Sequence, residues 1–442
     1  MAGLSEARLI RIIKRTVKSR GRVRLGIGDD AAVLKDGTVI TADAYAEGVH
    51  FDLSYMSLRQ VGARCACGAI SDVVAMAAEP AAVLVSLALP RASSEQLAVS
   101  SCRSQGEVRG QMLEARSQKC RSGLRMANGE RRMANGVREL YRGIESVCKE
   151  MGCEVAGGDI IVADQLLLAL TVTGKTKTPK LRSGARPGDH LYVTGYLGSA
   201  KAGRLLLAEQ VRSQKAKAKS QSGGEDADEV RRQKSECRRQ NEDTPHPDPL
   251  PQGEREADEV RRQKAETGSQ KCGRGRRMAN GEGRVAEKIL RFAQNDRIAQ
   301  PLVRRHLRPI PRLEAMLALK SRIHGLIDTS DGLSTDARHL CEMSGVRIVL
   351  DAEALPVLPA TMRFCAEKNL DPIDFVLRAG EDYELLFTSR RRQSDTVGGV
   401  KVTRIGRVEK GKGLWVEHLG RVLPVTVSGY DHLEVDHGKT GC

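Results

Sequence analysis

A chain of 442 residues, 40% of them hydrophobic, can furnish two or three domains with cores of their own. No apolar run approaches the roughly 20 residues of a membrane helix, and the start MAGLSEARLIRIIKR lacks a signal-peptide core and cleavage site, so no membrane role and a cytoplasmic location are expected. The net charge of +16 points toward nucleic acid, but residues 101–136 and 211–300 each carry +5 of it, which makes the excess local and nucleic-acid binding an unlikely role.

Eleven cysteines lie scattered without a CxxC, the closest pair being Cys65-x-Cys67, so reduced thiols are expected rather than a disulfide framework or zinc site. Residues 4–20 have apolar side chains near helical spacing. The stretch from Gly26 to Phe51 follows, GIGDDAAVL and then TADAYAEGVHF: two short strand-like runs that end in Asp29, Asp30, Asp43 and Glu47. Buried carboxylates need a cation, and hard divalent ions with oxygen ligands suit them best. Neighbouring strand side chains point to opposite faces, so one of Asp29 and Asp30 is expected to face the site. Residues 58–78 form a helix that sets Asp72 among small residues, leaving room for an ion or phosphate, and 81–89 form a buried strand.

From about residue 98 the composition turns polar and basic. RMANGE and RRMANG follow each other across 125–136, RRMANGE returns at 276–282, and DEVRRQK occurs at 228–234 and 258–264. These repeats are too irregular and too poor in apolar residues for a solenoid, so 98–136 and 211–300 are expected to be inserted, disordered segments in surface loops. Between them, 137–152 is a helix, 154–159 a strand that ends in Gly158 and Asp159, and 165–174 another strand. RSGARPGD at 182–189 forms the expected domain boundary, giving domains 1–181 and 182–442. In the second, IDTSDGL at 327–333 runs from a strand end into a helix, with Thr329 and Ser330 as expected caps and Asp328 and Asp331 alongside. AGEDYELLF at 379–387 reads as a turn and strand.

Asp30, Asp43, Asp72, Asp159, Asp328 and Asp331 thus stand at strand ends or helix edges. Together they suit a multi-metal site in which Mg²⁺ neutralises a transferring phosphoryl group, and without a Walker A motif the phosphates would be held through metal.

The ordered run GIGDDAAVL, DAYAEGVHF, ISDVVAMAAEP, YRGIE, GGD, RSGARPGD, RHLRPIPR, IDTSDGL, GEDYELLF and GYDH resembles thiamine-monophosphate kinase, of the aminoimidazole ribonucleotide synthetase superfamily, over nearly the whole chain outside the two inserts. The resemblance implies a two-domain α/β (α+β) fold, dimerisation through the N-terminal sheet, and transfer of the ATP γ-phosphate to thiamine monophosphate as the last step of thiamine diphosphate biosynthesis. It further implies Asp30, Asp43, Asp72, Asp159, Asp328 and Asp331 as Mg²⁺ ligands, with Thr41 beside them. Ala42 stands where the family usually has a hydroxyl residue, so its backbone carbonyl is the implied ligand. Tyr141, Gly158, Arg182 and Ser330 become ATP contacts; His50, Glu381 and Tyr430 become contacts to thiamine monophosphate. The alternatives are another ATP-using enzyme of the superfamily, such as a selenophosphate synthetase, or a non-catalytic binding protein disabled by its inserts.

Overall fold

The computed structural model describes residues 6–17, 21–90, 118–214, 216 and 299–426. Most of both inserted stretches, and Tyr430, lie outside the described residues. Helix α1 (Glu6–Thr16) precedes a six-stranded sheet made of β1 (Val23–Leu25), β2 (Ala32–Leu34), β3 (Thr38–Ala46), β4 (Glu79–Pro90), β5 (Glu154–Ala163) and β6 (Leu167–Lys175), in the order β1-β2-β3-β6-β4-β5. Only β4 and β5 run parallel.

Helix α2 (Leu58–Ala75) is buried along nearly its whole length. Ser57 starts it with a reciprocal cap, Gln60 N–H donating to Ser57 Oγ and Ser57 N–H to Gln60 Oε1. Small residues let α3 (Gln118–Met151) press directly on its backbone: a methyl at Gly62 would lie 2.1 Å from the Leu140 carbonyl, and one at Gly143 2.0 Å from that of Arg59. Helix α3 corrects one expectation. Its backbone is helical from Gln118, inside the stretch expected to be disordered, and Met133 and Val137 pack on the core. Once 137–151 is docked, further turns are added without a second nucleation step, which carries the helix through the Asn-Gly pairs at 128–129 and 135–136.

The second sheet takes β7 (His190–Thr194), β8 (Leu326–Asp328), β9 (Arg347–Asp351), β10 (Leu385–Ser389), β11 (Thr396–Val397), β12 (Val400–Glu409), β13 (Gly413–His418) and β14 (Arg421–Pro424). Its order is β14-β13-β9-β12-β7-β10-β8, with β11 on β12. The helices around it are α4 (199–214), α5 (Ala299–Leu307), α6 (Leu313–Leu319), α7 (Leu333–Ser344), α8 (Pro359–Glu367) and α9 (Pro372–Leu377). One apolar core joins the first sheet and α2 to Leu326, Leu385 and Phe387 of the second, so α2 lies between the sheets. A separate core fills the far side around Ile348, Leu340 and Val376. Among the described residues six cysteines are buried and unbridged, and no helix is long and apolar enough to cross a membrane.

Candidate active site

Three strand and helix ends converge on α2. Asp30 precedes β2, Asp72 lies in the last turns of α2, and Asp328 ends β8. One carboxylate oxygen from each falls within 4.8 Å of the others, the one group of potential metal ligands of this kind among the described residues. Thr41 Oγ1 on β3 donates to Asp72 Oδ2 at 2.8 Å, and Ser71 Oγ donates to Asp328 Oδ2 at 2.7 Å. Asp30 Oδ2 and Asp328 Oδ1 are buried without a hydrogen-bond partner.

Asp29 reaches the same place, although only Asp30 joins the trio. Arg182, which opens a single 3₁₀ turn (Arg182–Gly184), donates from its backbone N–H to Asp29 Oδ1 at 3.3 Å and from Nε to Asp30 Oδ1 at 3.2 Å. That turn sits tight against β8, since a methyl at Gly184 would lie 2.0 Å from the His324 carbonyl. Burial, reinforced by neighbouring acids, pushes the Asp29 carboxyl up to about 6 and that of Asp328 to about 8, and raises that of Asp72 strongly. One guanidinium does not neutralise this concentration of negative charge. Unpaired, all-oxygen donors in a buried acidic cluster fit a hard divalent cation.

The remaining sequence-derived candidates divide. Alternation along β3 places Thr41, Asp43 and Tyr45 toward α2, and Tyr45 OH donates to Asp43 Oδ2 at 2.8 Å; Ala42 faces the exposed side. Asp43 still acts electrostatically on Asp72. Asp159 and Gly158 lie exposed on the edge strand β5, outside the trio, with Asp159 Oδ1 accepting the neighbouring Ile160 N–H at 2.9 Å. At Gly158 a Cβ would lie 1.9 Å from the Val85 carbonyl, so glycine alone fits there. Tyr141 is half-buried on α3 against the core. Asp331 lies beyond β8, where its charge helps raise the Asp336 carboxyl after burial has done most of the work.

The caps differ from expectation. Helix α7 begins after Gly332, which sits at φ +116°, and Asp336 Oδ2 accepts the Gly332 N–H at 3.1 Å. Thr329 Oγ1 instead accepts the Glu384 N–H at 3.0 Å, and the Ser330 carbonyl accepts the Glu381 N–H at 2.8 Å. The IDTSD and GEDYE loops are thereby stitched together.

Comparison with known proteins gives the same picture. Residues 28–111 and 114–176 match the family model described as AIR synthase related protein, N-terminal domain. The thiamine-monophosphate kinase of Aquifex aeolicus is 27% identical over 94% of both chains, and that of Rhodopirellula baltica 25% identical over 94% of this chain and 96% of its own. A solved structure of AaThiL complexed with AMPPCP and TMP superposes with a TM-score of 0.63, at 26% identity over 97% of each chain. The chain is thus similar to thiamine-monophosphate kinases over nearly its whole length.

Several side chains that frame the site escaped sequence reading. Arg64 of α2 is 2% exposed and pairs with Glu381 at 2.6 Å. It also donates from Nε to the His50 carbonyl at 3.1 Å. His50 closes its own loop, Nδ1 accepting the Ala46 N–H at 3.2 Å. The RHLRPIPR motif is scaffolding: Arg305 and Arg312 both pair with buried Glu384, and His306 contacts Tyr55 OH at 3.3 Å. A basic residue in an otherwise small, apolar helix was the available signal for Arg64; nothing in the sequence says which acid an arginine will meet.

Proposed function

We infer that this chain transfers the γ-phosphoryl group of ATP to thiamine monophosphate, yielding thiamine diphosphate and ADP. The observation that carries this reading is near full-length likeness to thiamine-monophosphate kinases, including a structure holding an ATP analogue and TMP, in a chain whose family motifs converge on one buried acidic cluster. In this reading Asp30, Asp72 and Asp328 hold Mg²⁺, with Thr41, Asp43, Asp159, Asp331 and the Ala42 carbonyl as further ligands. The ion, when bound, supplies neutralisation of the phosphate charge. The acceptor is an already ionised phosphate oxygen, so the protein's own task is to align two anions rather than to move a proton.

Arg182 combines its bonds to Asp30 with 20% exposure, which suits a residue that braces the acidic cluster and presents positive charge to ATP. Tyr141, Gly158 and Ser330 complete the proposed ATP contacts; His50, Glu381 and Tyr430 receive thiamine monophosphate. We further propose a cytoplasmic enzyme with domains 1–181 and 182–442 that pairs through its first sheet. Ile160, Ile161 and Val162 are successive residues of the edge strand β5, each more than half exposed, so both faces of this strand offer apolar surface to a second copy. The test of function is formation of thiamine diphosphate from ATP, Mg²⁺ and thiamine monophosphate by the purified full chain. Turnover is expected; ATP consumption indifferent to thiamine monophosphate would refute the assignment.

A further inference from the structure

Arg64 is the buried arginine of α2, and the proposed function gives it no role. Burying a guanidinium is costly unless its donors are used. Here three separate segments meet it: the carbonyl of His50, the carbonyl of His306, and the carboxylate of Glu381. A guanidinium spreads five N–H donors over a rigid planar fork and so reaches separated acceptors, whereas a lysine ammonium gathers its three donors on one atom.

Two of those segments carry proposed substrate contacts, and one of the two is strained. Glu381 and Tyr383 hold φ at +66° and +51°, a region that side chains rarely adopt and that persists only where the surroundings enforce it. The Glu381 N–H is tied to the Ser330 carbonyl, and its Oε1 to Arg64. The Glu381 side chain nevertheless keeps 25% of its surface exposed, so it stays open to a ligand while Arg64 fixes its direction.

We infer that Arg64 is a positioning residue for the thiamine monophosphate subsite: from inside α2 it fixes the Glu381 carboxylate relative to the His50 loop. The inference rests on the function proposed above. Arg64 is itself too buried to touch substrate, and it acts through Glu381. Its loss therefore weakens the acceptor substrate and spares ATP.

The test is steady-state kinetics of full-length Arg64→Lys, Glu381→Gln and the double variant, with thermal unfolding as a check on folding. Arg64→Lys is expected to raise KM for thiamine monophosphate about tenfold while KM for ATP moves less than about twofold. Glu381→Gln should move the same constant, and the double variant should be no worse than the more affected single, because both act through one carboxylate. Arg64→Gln, which keeps one donor group, is run alongside in case the lysine variant fails to fold, and the same pattern is required of it. Equal changes in both KM values, no change in either, or fully additive effects overturn the role of Arg64. A wild-type chain that forms no thiamine diphosphate overturns the functional reading and this inference with it.

Discussion

Replacing Asp328 by Asn should stabilise the metal-free protein and disable it as an enzyme. The Asp328 side chain is 1% exposed; Oδ2 accepts from Ser71, a bond an amide oxygen can keep, while Oδ1 has no partner. Burial first, and Asp30 second, push its carboxyl from 3.8 to about 8. Between those values the folded state binds more protons than the unfolded state. Stability without metal therefore falls as pH rises across that window, and the full penalty is present above about pH 8. At about 1.4 kcal/mol per pH unit, the rise sets a ceiling of about 6 kcal/mol. Relaxation and water penetration reduce such ceilings, leaving a working figure of about 2–3 kcal/mol.

That figure corresponds to roughly 3–5 °C in Tm for an ordered chain of about 300 residues. The assay is thermal unfolding of wild type and Asp328→Asn at pH 8, first with a chelator and then with Mg²⁺. The variant should melt higher in chelator, Mg²⁺ should raise Tm for the wild type alone, and turnover of the variant should collapse. Because the ion replaces a proton, wild-type Mg²⁺ affinity should also rise with pH up to about 8. A variant that melts lower in chelator, or one that Mg²⁺ stabilises as much as the wild type, would refute the reasoning.

Gly143→Ala places a methyl 2.0 Å from the Arg59 carbonyl and 2.8 Å from the Ala63 nitrogen, both backbone atoms. Overpacking of about 2–3 kcal/mol should exceed the helix-propensity gain of about 1 kcal/mol and lower Tm by several degrees. Glu384→Gln removes the charge shared by Arg305 and Arg312 in a fully buried position, and a loss of about 3–5 kcal/mol should show as a lower midpoint in denaturant unfolding. Ile161→Glu on the exposed edge strand should shift the proposed dimer to monomer in sedimentation velocity while leaving the Tm at low concentration nearly unchanged.

The trio of acids was legible because Asp30 and Asp328 flank short apolar strands and Asp72 is the lone acid of a helix of small and apolar residues. Alternation along β3 sets Thr41 and Asp43 on one face and Ala42 on the other. Three features were not legible. Which of two adjacent acids joins the trio depends on the path of the chain before β2, which no periodicity fixes. The length of α3 was hidden because its Asn-Gly pairs read as turns, whereas propagation from the docked segment 137–151 carries the helix through them. The caps of α7 were misread because Thr329 found the Glu384 N–H, a partner 55 residues away, before the helix it seemed to serve had begun.

The GEDYE loop shows why acids cannot be assigned by composition. Its three carboxylates lie within four residues and meet three different partners. Glu381 meets Arg64. Asp382 accepts the N–H groups of Gly198 and Ala200 at the start of α4, and burial still pushes its carboxyl up to about 7. For Glu384, burial alone would raise the carboxyl, but Arg312 and Arg305 hold it below the ordinary glutamate range. The first of these anchors fixes the proposed substrate contact. The other two grip α4 and α5, the helices on either side of the second inserted segment, and so fix the beginning of one and the end of the other to a single loop. Chain length added between those helices then costs only loop-closure entropy, which grows slowly with length. Both helices keep their grip on the loop that presents Glu381, and a long insertion at this point is compatible with an intact site.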